Sequence, residues 1–341
     1  MKKIIKIGGE FDINPNILEG YPDYTPNNNT YLYSSGRSAL MAILKQVSTY
    51  GKSIIHIPYY ICPSVVFACE KAGFDVKFYE LDKNYLFPLE YLTNIRINDV
   101  VLTVNYFGFV DDNPTILEIR NLRPDITIIS DQVQSFWTYD KTEADFSFTS
   151  LRKHFPIPDG ALIYSKNQPI ELKFSLKESF FYKNKLIGSL LKNQSLPDNI
   201  YLKFFEDAEL ELDIEKEPLK ASKLSHFLYE KIDFEKIRTK RNENYKYTYE
   251  IGLQFGLNFM FSYNDSVTPL NVPILLNNRD HVRKKIMNNN IFLPIHWTQS
   301  NYNICSDTAK RIGINELSLV IDQRYSKEEI YYQIEIISKM I

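Results

Sequence analysis

This 341-residue chain is poor in several residues that would point to other chemistries. It has three cysteines, Cys62, Cys69 and Cys305, an odd number without metal-like spacing, which argues against a disulfide framework or zinc site and suits a reduced, cytoplasmic protein. Its five histidines are scattered, so no metal centre is expected. A formal net charge of -2 leaves no global basic field, which makes nucleic acid a poor partner. No stretch reaches the roughly 18 to 20 uninterrupted apolar residues of a membrane span, and the start MKKIIKIGGEFDI is too short and too interrupted in its apolar run for a signal peptide. There is no P-loop, no nucleophile elbow, no internal repeat and no low-complexity tract.

What the chain has is core-forming material. Hydrophobic residues make up 44% and aromatics 14%, against 24% charged, enough for a large domain with a smaller one beside it. Residues 1–30 are rich in Asn, Pro, Asp and Tyr and are expected to form an irregular arm. The run YLYSSGRSAL then predicts a short strand, a Ser-Ser-Gly turn and a helix starting at Gly36, with Leu40, Ile43, Leu44 and Val47 on one face. A strand over 53–58, a helix ending at Gly73 and a strand over 76–81 make a βαβ unit. A buried strand over 100–105, a helix over 115–122 and a strand over 126–130 ending at Asp131 follow. Alternation of this kind predicts an α/β fold, a mostly parallel sheet with helices on both faces and ligands at the carboxyl ends of the strands. Ser35 to Ser38, Asn105 and Asp131 fall at such ends and are expected to face one crevice.

Residues 126–164 carry the chemistry. A strand ends in Asp131, a polar turn holds Gln134, and a second strand covers 145–148. Ser150, Lys153 and a proline-punctuated loop closed by Gly160 lead to a strand over 161–164. Pyridoxal 5'-phosphate (PLP) needs a lysine amine for its aldehyde and an acid for its ring nitrogen, and this pairing meets both needs. Beyond Gly160 the pattern weakens, and 167–217 reads as helices and connectors. EKEPLK at 215–220 marks a boundary, giving an arm over 1–30, a large domain over 31–220 and a small α+β domain over 221–341. The small domain opens with a long amphipathic helix or helix pair, with Leu224, Phe227, Leu228 and Ile232 at helical spacing.

The order SSGRSAL, PYYICPS, VNYFG, SDQVQ, SLRKHFPIPDG, IHW and LSLVIDQRYS, from about Tyr31 to the C-terminus, resembles the DegT/StrS family of PLP-dependent sugar aminotransferases. The resemblance implies PLP-dependent transferase fold type I, with a seven-stranded-type sheet in the large domain and an active site between two subunits of a homodimer. It implies an amino acid donor such as glutamate and an acceptor keto group on a nucleotide-linked sugar, for a surface polysaccharide or secondary metabolite.

Residue by residue, the resemblance makes Lys153 the covalent anchor and proton carrier, and Asp131 the partner of the ring nitrogen. The family spacing after Ser147 falls on Arg152, but arginine stays protonated and cannot react with an aldehyde, so chemistry selects Lys153. Ser147 or Ser150 would donate to the phosphate, with Gly36, Arg37 and Ser38 at a helix start. Gln134 matches the family's D-x-x-Q, beside the ring hydroxyl. Tyr60, or alternatively Cys62, would cover the ring face, and His296, Trp297 and Asn105 are candidates for substrate contact. Asp322, Gln323, Arg324 and Tyr325 form a second polar cluster. EPLKASKLS lacks the Asn-x-Arg element with which many relatives complete the partner's site. Two alternatives stay open: a deoxysugar dehydratase on the same scaffold, whose family members replace the lysine by histidine and for which His154 matters, and a non-catalytic descendant of the fold.

Overall fold

The computed structural model describes residues 6–13, 30–167, 170, 177–194, 196–297 and 306–341. Most of the expected arm, and Cys305, lie outside the described residues. The chain enters through a short strand β1 (Ile7–Gly8) and then alternates: β2 (Thr30–Tyr33), α1 (Gly36–Ser48), β3 (Ile54–Pro58), α2 (Pro63–Lys71), β4 (Asp75–Tyr79), β5 (Val100–Val104), α3 (Asn113–Leu122), β6 (Thr127–Asp131), β7 (Phe146–Ser150) and β8 (Ala161–Ser165). The alternation expected from the sequence is present, with element ends shifted by only a few residues.

β2 to β8 form one seven-stranded sheet in the order β2-β8-β7-β6-β5-β3-β4. β7, β6, β5, β3 and β4 run parallel, while β8 runs antiparallel to both neighbours. Every residue of β5 and β7 is buried, because helices cover both faces, and this is why these strands read as continuous runs. β2 is antiparallel to β8 and therefore parallel to β7. The carboxyl ends of β2, β5, β6 and β7 thus share one edge, where the following turns converge.

The segment without a clean period holds two helices packed on each other, α4 (Phe181–Asn193) and α5 (Asp198–Asp213). Apolar side chains also occupy their outer faces: Phe180, Leu190, Leu202 and Leu210 are exposed. Those residues fill the half of the helical pattern that is normally polar, and so erase its period.

The expected helix pair is α6 (Lys223–Tyr229) and α7 (Phe234–Gln254), separated where Asp233 caps α7 by accepting from the Lys236 amide. Phe227, expected on the apolar face, is exposed, whereas Ile232 is buried in the connector. The chain finishes with β9 (Val272–Leu275), α8 (Arg279–Met287), β10 (Ile291–Phe292), α9 (Asp307–Asn315), β11 (Glu316–Leu319) and α10 (Lys327–Ser338). β11 pairs antiparallel with β9, and α10 packs on α7. β1 pairs parallel with β10, which brings Ile7 into the core of Val272, Ile274, Leu317, Leu319 and Ile334. Among the described residues no helix is long and apolar enough to cross a membrane.

Gly160 locks the end of the loop that carries Lys153. Its φ is +135°, its amide donates to Ser34 O at 2.8 Å, and its carbonyl accepts from the Leu151 amide at 3.0 Å. An added Cβ would meet Leu151 Cδ1 at 2.9 Å. Gly160→Ala should therefore lower stability by about 1–3 kcal/mol, read as a lower urea midpoint; an unchanged midpoint would contradict this account of the loop.

Candidate active site

The sheet edge opens into a cavity of about 310 Å³ lined by Ser35, Gly36, Arg37, Asp131, Gln134, Ser150, Lys153 and Trp297, among others. Four separate segments supply these groups. Asp131 is the last residue of β6, Ser150 the last of β7, and Lys153 ends the single 3-10 turn Leu151–Lys153 that follows. Among the described residues Lys153 has no hydrogen-bond or ion-pair partner.

Asp131 is buried, and burial pushes its carboxyl up from the ordinary 3.8 to about 6. The Val133 amide, 2.9 Å from Oδ1, and the charge of Lys153 pull the other way. Gln134 Oε1 accepts from the Phe107 amide at 2.7 Å, which fixes the side-chain orientation, since the flipped amide would set donor against donor. Its buried Nε2 is left without a partner. At the start of α1, Ser35 Oγ accepts from the Ser38 amide at 3.2 Å, leaving the amides of Gly36 and Arg37 as the helix's unclaimed donors.

The structure does not bring every expected residue to this cavity. Phe148 and Ser150 line it, so the alternation of β7 turns Ser147 to the other face, where its hydroxyl donates to Tyr139 O. Of the two serines, Ser150 is the one at the cavity. Ser38 is spent inside the cap, with its hydroxyl on Ser34 Oγ and the Leu219 amide. Tyr60 is buried, its hydroxyl donating to His296 O at 3.3 Å and its ring packed on Tyr106 and Trp297. Cys62, the alternative to Tyr60, lines the cavity. Asn105 donates to Gln132 Oε1 and Ser135 Oγ and stays behind the wall, because its side chain completes the polar network beneath β6. Arg37 reaches the cavity while its guanidinium pairs with Asp213 at 2.6 Å.

A second cavity of about 490 Å³ adjoins the first, and Glu10, Arg152 and Lys153 line both. His296 belongs here, held by Glu316, whose Oε2 accepts from the His296 amide at 2.7 Å. Asp322 and Arg324, from the second polar cluster, also line it and pair with each other at 2.8 Å. The N-terminal segment closes one side. Gly8 N donates to the Tyr325 hydroxyl, Arg324 donates to the carbonyls of Gly9 and Glu10, and Glu10 pairs with Lys185 at 2.7 Å. Sequence reading missed Glu10, Arg241 and Arg283 and passed over Arg152, because isolated charges on long elements carry no local signal.

His154 lines neither cavity. It is fully buried, with a ring nitrogen 3.1 Å from Val133 O and aromatic contacts to Phe136 and Trp137. Burial holds its pKa well below the usual histidine range, so the ring is neutral and donates to that carbonyl. It anchors the turn from behind while Lys153 faces the cavities.

No protein-family model and no curated protein matches this sequence. Solved structures do. A Streptococcus pneumoniae protein described as a sugar aminotransferase, known in apo and PLP forms, aligns over 98% of this chain and 92% of its own in the apo form, with TM-score 0.66 and 15% identity. A variant of GDP-4-keto-6-deoxymannose-3-dehydratase with bound GDP-perosamine aligns over 90% and 88%, with TM-score 0.68 and 15% identity. A DegT/DnrJ/EryC1/StrS aminotransferase from Brucella abortus aligns over 91% and 85%, with TM-score 0.63 and 14% identity. The chain has the fold of these proteins, the fold that the sequence led us to expect.

The raised pKa of Asp131 makes stability depend on pH. Its folded value lies above its unfolded one, so its contribution is present below pH 4 and is lost as pH rises through 6. In cofactor-free protein, Asp131→Asn should therefore raise the folding stability at pH 8 by on the order of 2–3 kcal/mol, read as a higher melting temperature, and give no such gain at pH 4. A loss of stability at pH 8 would show that the buried carboxylate is compensated.

Proposed function

We propose that this chain is a PLP-dependent aminotransferase that moves an amino group from an amino acid such as glutamate to a keto group of a nucleotide-linked sugar. The observation that carries this reading is the unpartnered amine of Lys153 in a cavity shared with the buried acid Asp131. The remaining donors fit the cofactor. Gln134 Nε2 is buried and unclaimed, Ser150 offers a hydroxyl, and the amides of Gly36 and Arg37 suit a phosphate. Gly36 lines the cavity, and a Cβ there would lie 3.5 Å from Val133 and 3.9 Å from Phe148 and Ser150, at ordinary contact distances.

When bound, PLP supplies an aldehyde that links to amines and a ring that draws electron density from the substrate carbon. Asp131 would hold a proton on the ring nitrogen, and its burial would strengthen that ion pair. Lys153 Nζ would anchor the aldehyde and, as a free amine, would carry a proton to and from the substrate carbon. Gln134 Nε2 would donate to the ring hydroxyl, and the apolar side chains of Val104, Val133 and Phe148, which line the cavity, would exclude water. Purified protein should show a visible absorption band that Lys153→Ala abolishes, and glutamate should yield 2-oxoglutarate; colourless protein indifferent to added PLP would refute the reading. The dehydratase reading has its support in the aligned 3-dehydratase. Against it, the buried His154 does not face the cavity, and a band without 2-oxoglutarate formation would favour it.

The reading extends to a cytoplasmic homodimer. Cys62 and Cys69 are free thiols, and the outer face of α4 and α5 exposes Leu190, Leu202 and Leu210 in one hairpin. The double variant Leu202→Glu/Leu210→Glu should elute as a monomer in size-exclusion chromatography where the parent elutes as a dimer; a dimer in both would place the interface elsewhere.

A further inference from the structure

Of the six lysines and arginines that line the two cavities, three are matched by an acid. Arg37 pairs with Asp213, Arg152 with Glu209 at 3.3 Å, and Arg324 with Asp322. Both acids of the second cavity are engaged, Asp322 by the fork of Arg324 and Glu10 by Lys185. Among the described residues Lys153, Arg241 and Arg283 have no carboxylate partner, and all three line the second cavity.

The two arginines come from different helices. Arg241, on α7, is wholly buried and donates to Gln323 Oε1 at 3.1 Å and to the carbonyls of Pro269 and Leu270, while its Nε has no acceptor. Burial lowers its pKa to about 10, which still leaves it charged at neutral pH. Arg283, on α8, donates through Nε to Leu293 O at 3.1 Å, and this is its one hydrogen bond among the described residues. A guanidinium offers five donors, so most of its fork is unused. Asp322 also acts on Arg241, but it is already paired with Arg324, so the second cavity is lined by five cationic side chains against two acids and has room for an anion that comes from a ligand. Carbonyl acceptors satisfy individual donors of Arg241 without cancelling its charge.

We propose that the second cavity is an oxyanion seat, in which Arg283, backed by the charge of Arg241, grips a carboxylate or phosphate group of a substrate whose reacting carbon lies at Lys153. The placement beside Lys153 rests on the aminotransferase reading; the anion seat itself does not. Two sources share this chemistry: the carboxylate of the amino donor and the diphosphate of a nucleotide-linked acceptor. The cavity, at about 490 Å³, is the larger of the two and has space for either.

Calorimetric titration of the purified protein with uridine diphosphate and, separately, with glutarate distinguishes them. Wild type should bind at least one probe, with affinity falling as salt rises. Arg283→Gln should weaken that binding about tenfold or more, because one charge-assisted fork is lost, and Arg283→Lys should retain part of it. Loss confined to uridine diphosphate identifies the phosphate as the source, loss confined to glutarate identifies the carboxylate, and loss of both makes the seat common to the two substrates. Unchanged binding in folded Arg283→Gln, or no binding of either probe to wild type, overturns the proposal. If Arg283→Gln fails to fold, Arg283→Lys carries the same comparison. Titration needs no turnover, so absence of the visible band would sink the aminotransferase reading while leaving this result to stand.

Discussion

The site depends on the direction of one strand. β8 runs antiparallel between β2 and β7, which makes β2 parallel to β7 although the two lie far apart in the chain. That arrangement delivers the start of α1 to the same edge as the ends of β6 and β7. Without it the amides of Gly36 and Arg37 would emerge at the opposite edge from Asp131 and Lys153. Gly160, hydrogen-bonded to both Ser34 and Leu151, ties the three segments together where they meet.

Electrostatics then divides the edge into parts with different tasks. Asp131 is held in a buried wall that disfavours its charge, and Lys153, which lines the same cavity, forms no ion pair among the described residues. A positive group placed against Asp131 relieves the first cost, while an aldehyde near Lys153 gives its amine a use. The neighbours of Lys153 are committed elsewhere: Arg152 to Glu209, and His154 to a backbone carbonyl inside an aromatic cage. Three consecutive side chains thus separate into one half-buried ion pair, one amine unpaired among the described residues and one structural anchor. The 3-10 turn produces this separation by sending successive residues in different directions.

Lys153 also lies where the two cavities meet, between the large sheet and the C-terminal elements. The short strand Ile7–Gly8 reinforces this junction, since its pairing with Ile291–Phe292 and the contacts of Glu10 with Lys185 and Arg324 link the N-terminal segment to both α4 and the C-terminal core.

Much of this was legible in the sequence because it is local. The alternation of strands and helices from Tyr31 to Tyr164, the start of α1 at Gly36, the acid ending β6 and the lysine after β7 all follow from periodicity, turn residues and the pKa difference between lysine and arginine. The tertiary structure decided what depends on direction and distance. It turned Ser147 away and Ser150 inward, put Cys62 rather than Tyr60 at the cavity, left Asn105 behind the wall, and brought Arg241 and Arg283 from two helices to a cavity that Lys153 also lines. A sequence records which groups a chain carries; which of them end unpaired is settled only when all neighbours are in place, because a charge is compensated through space and not along the chain.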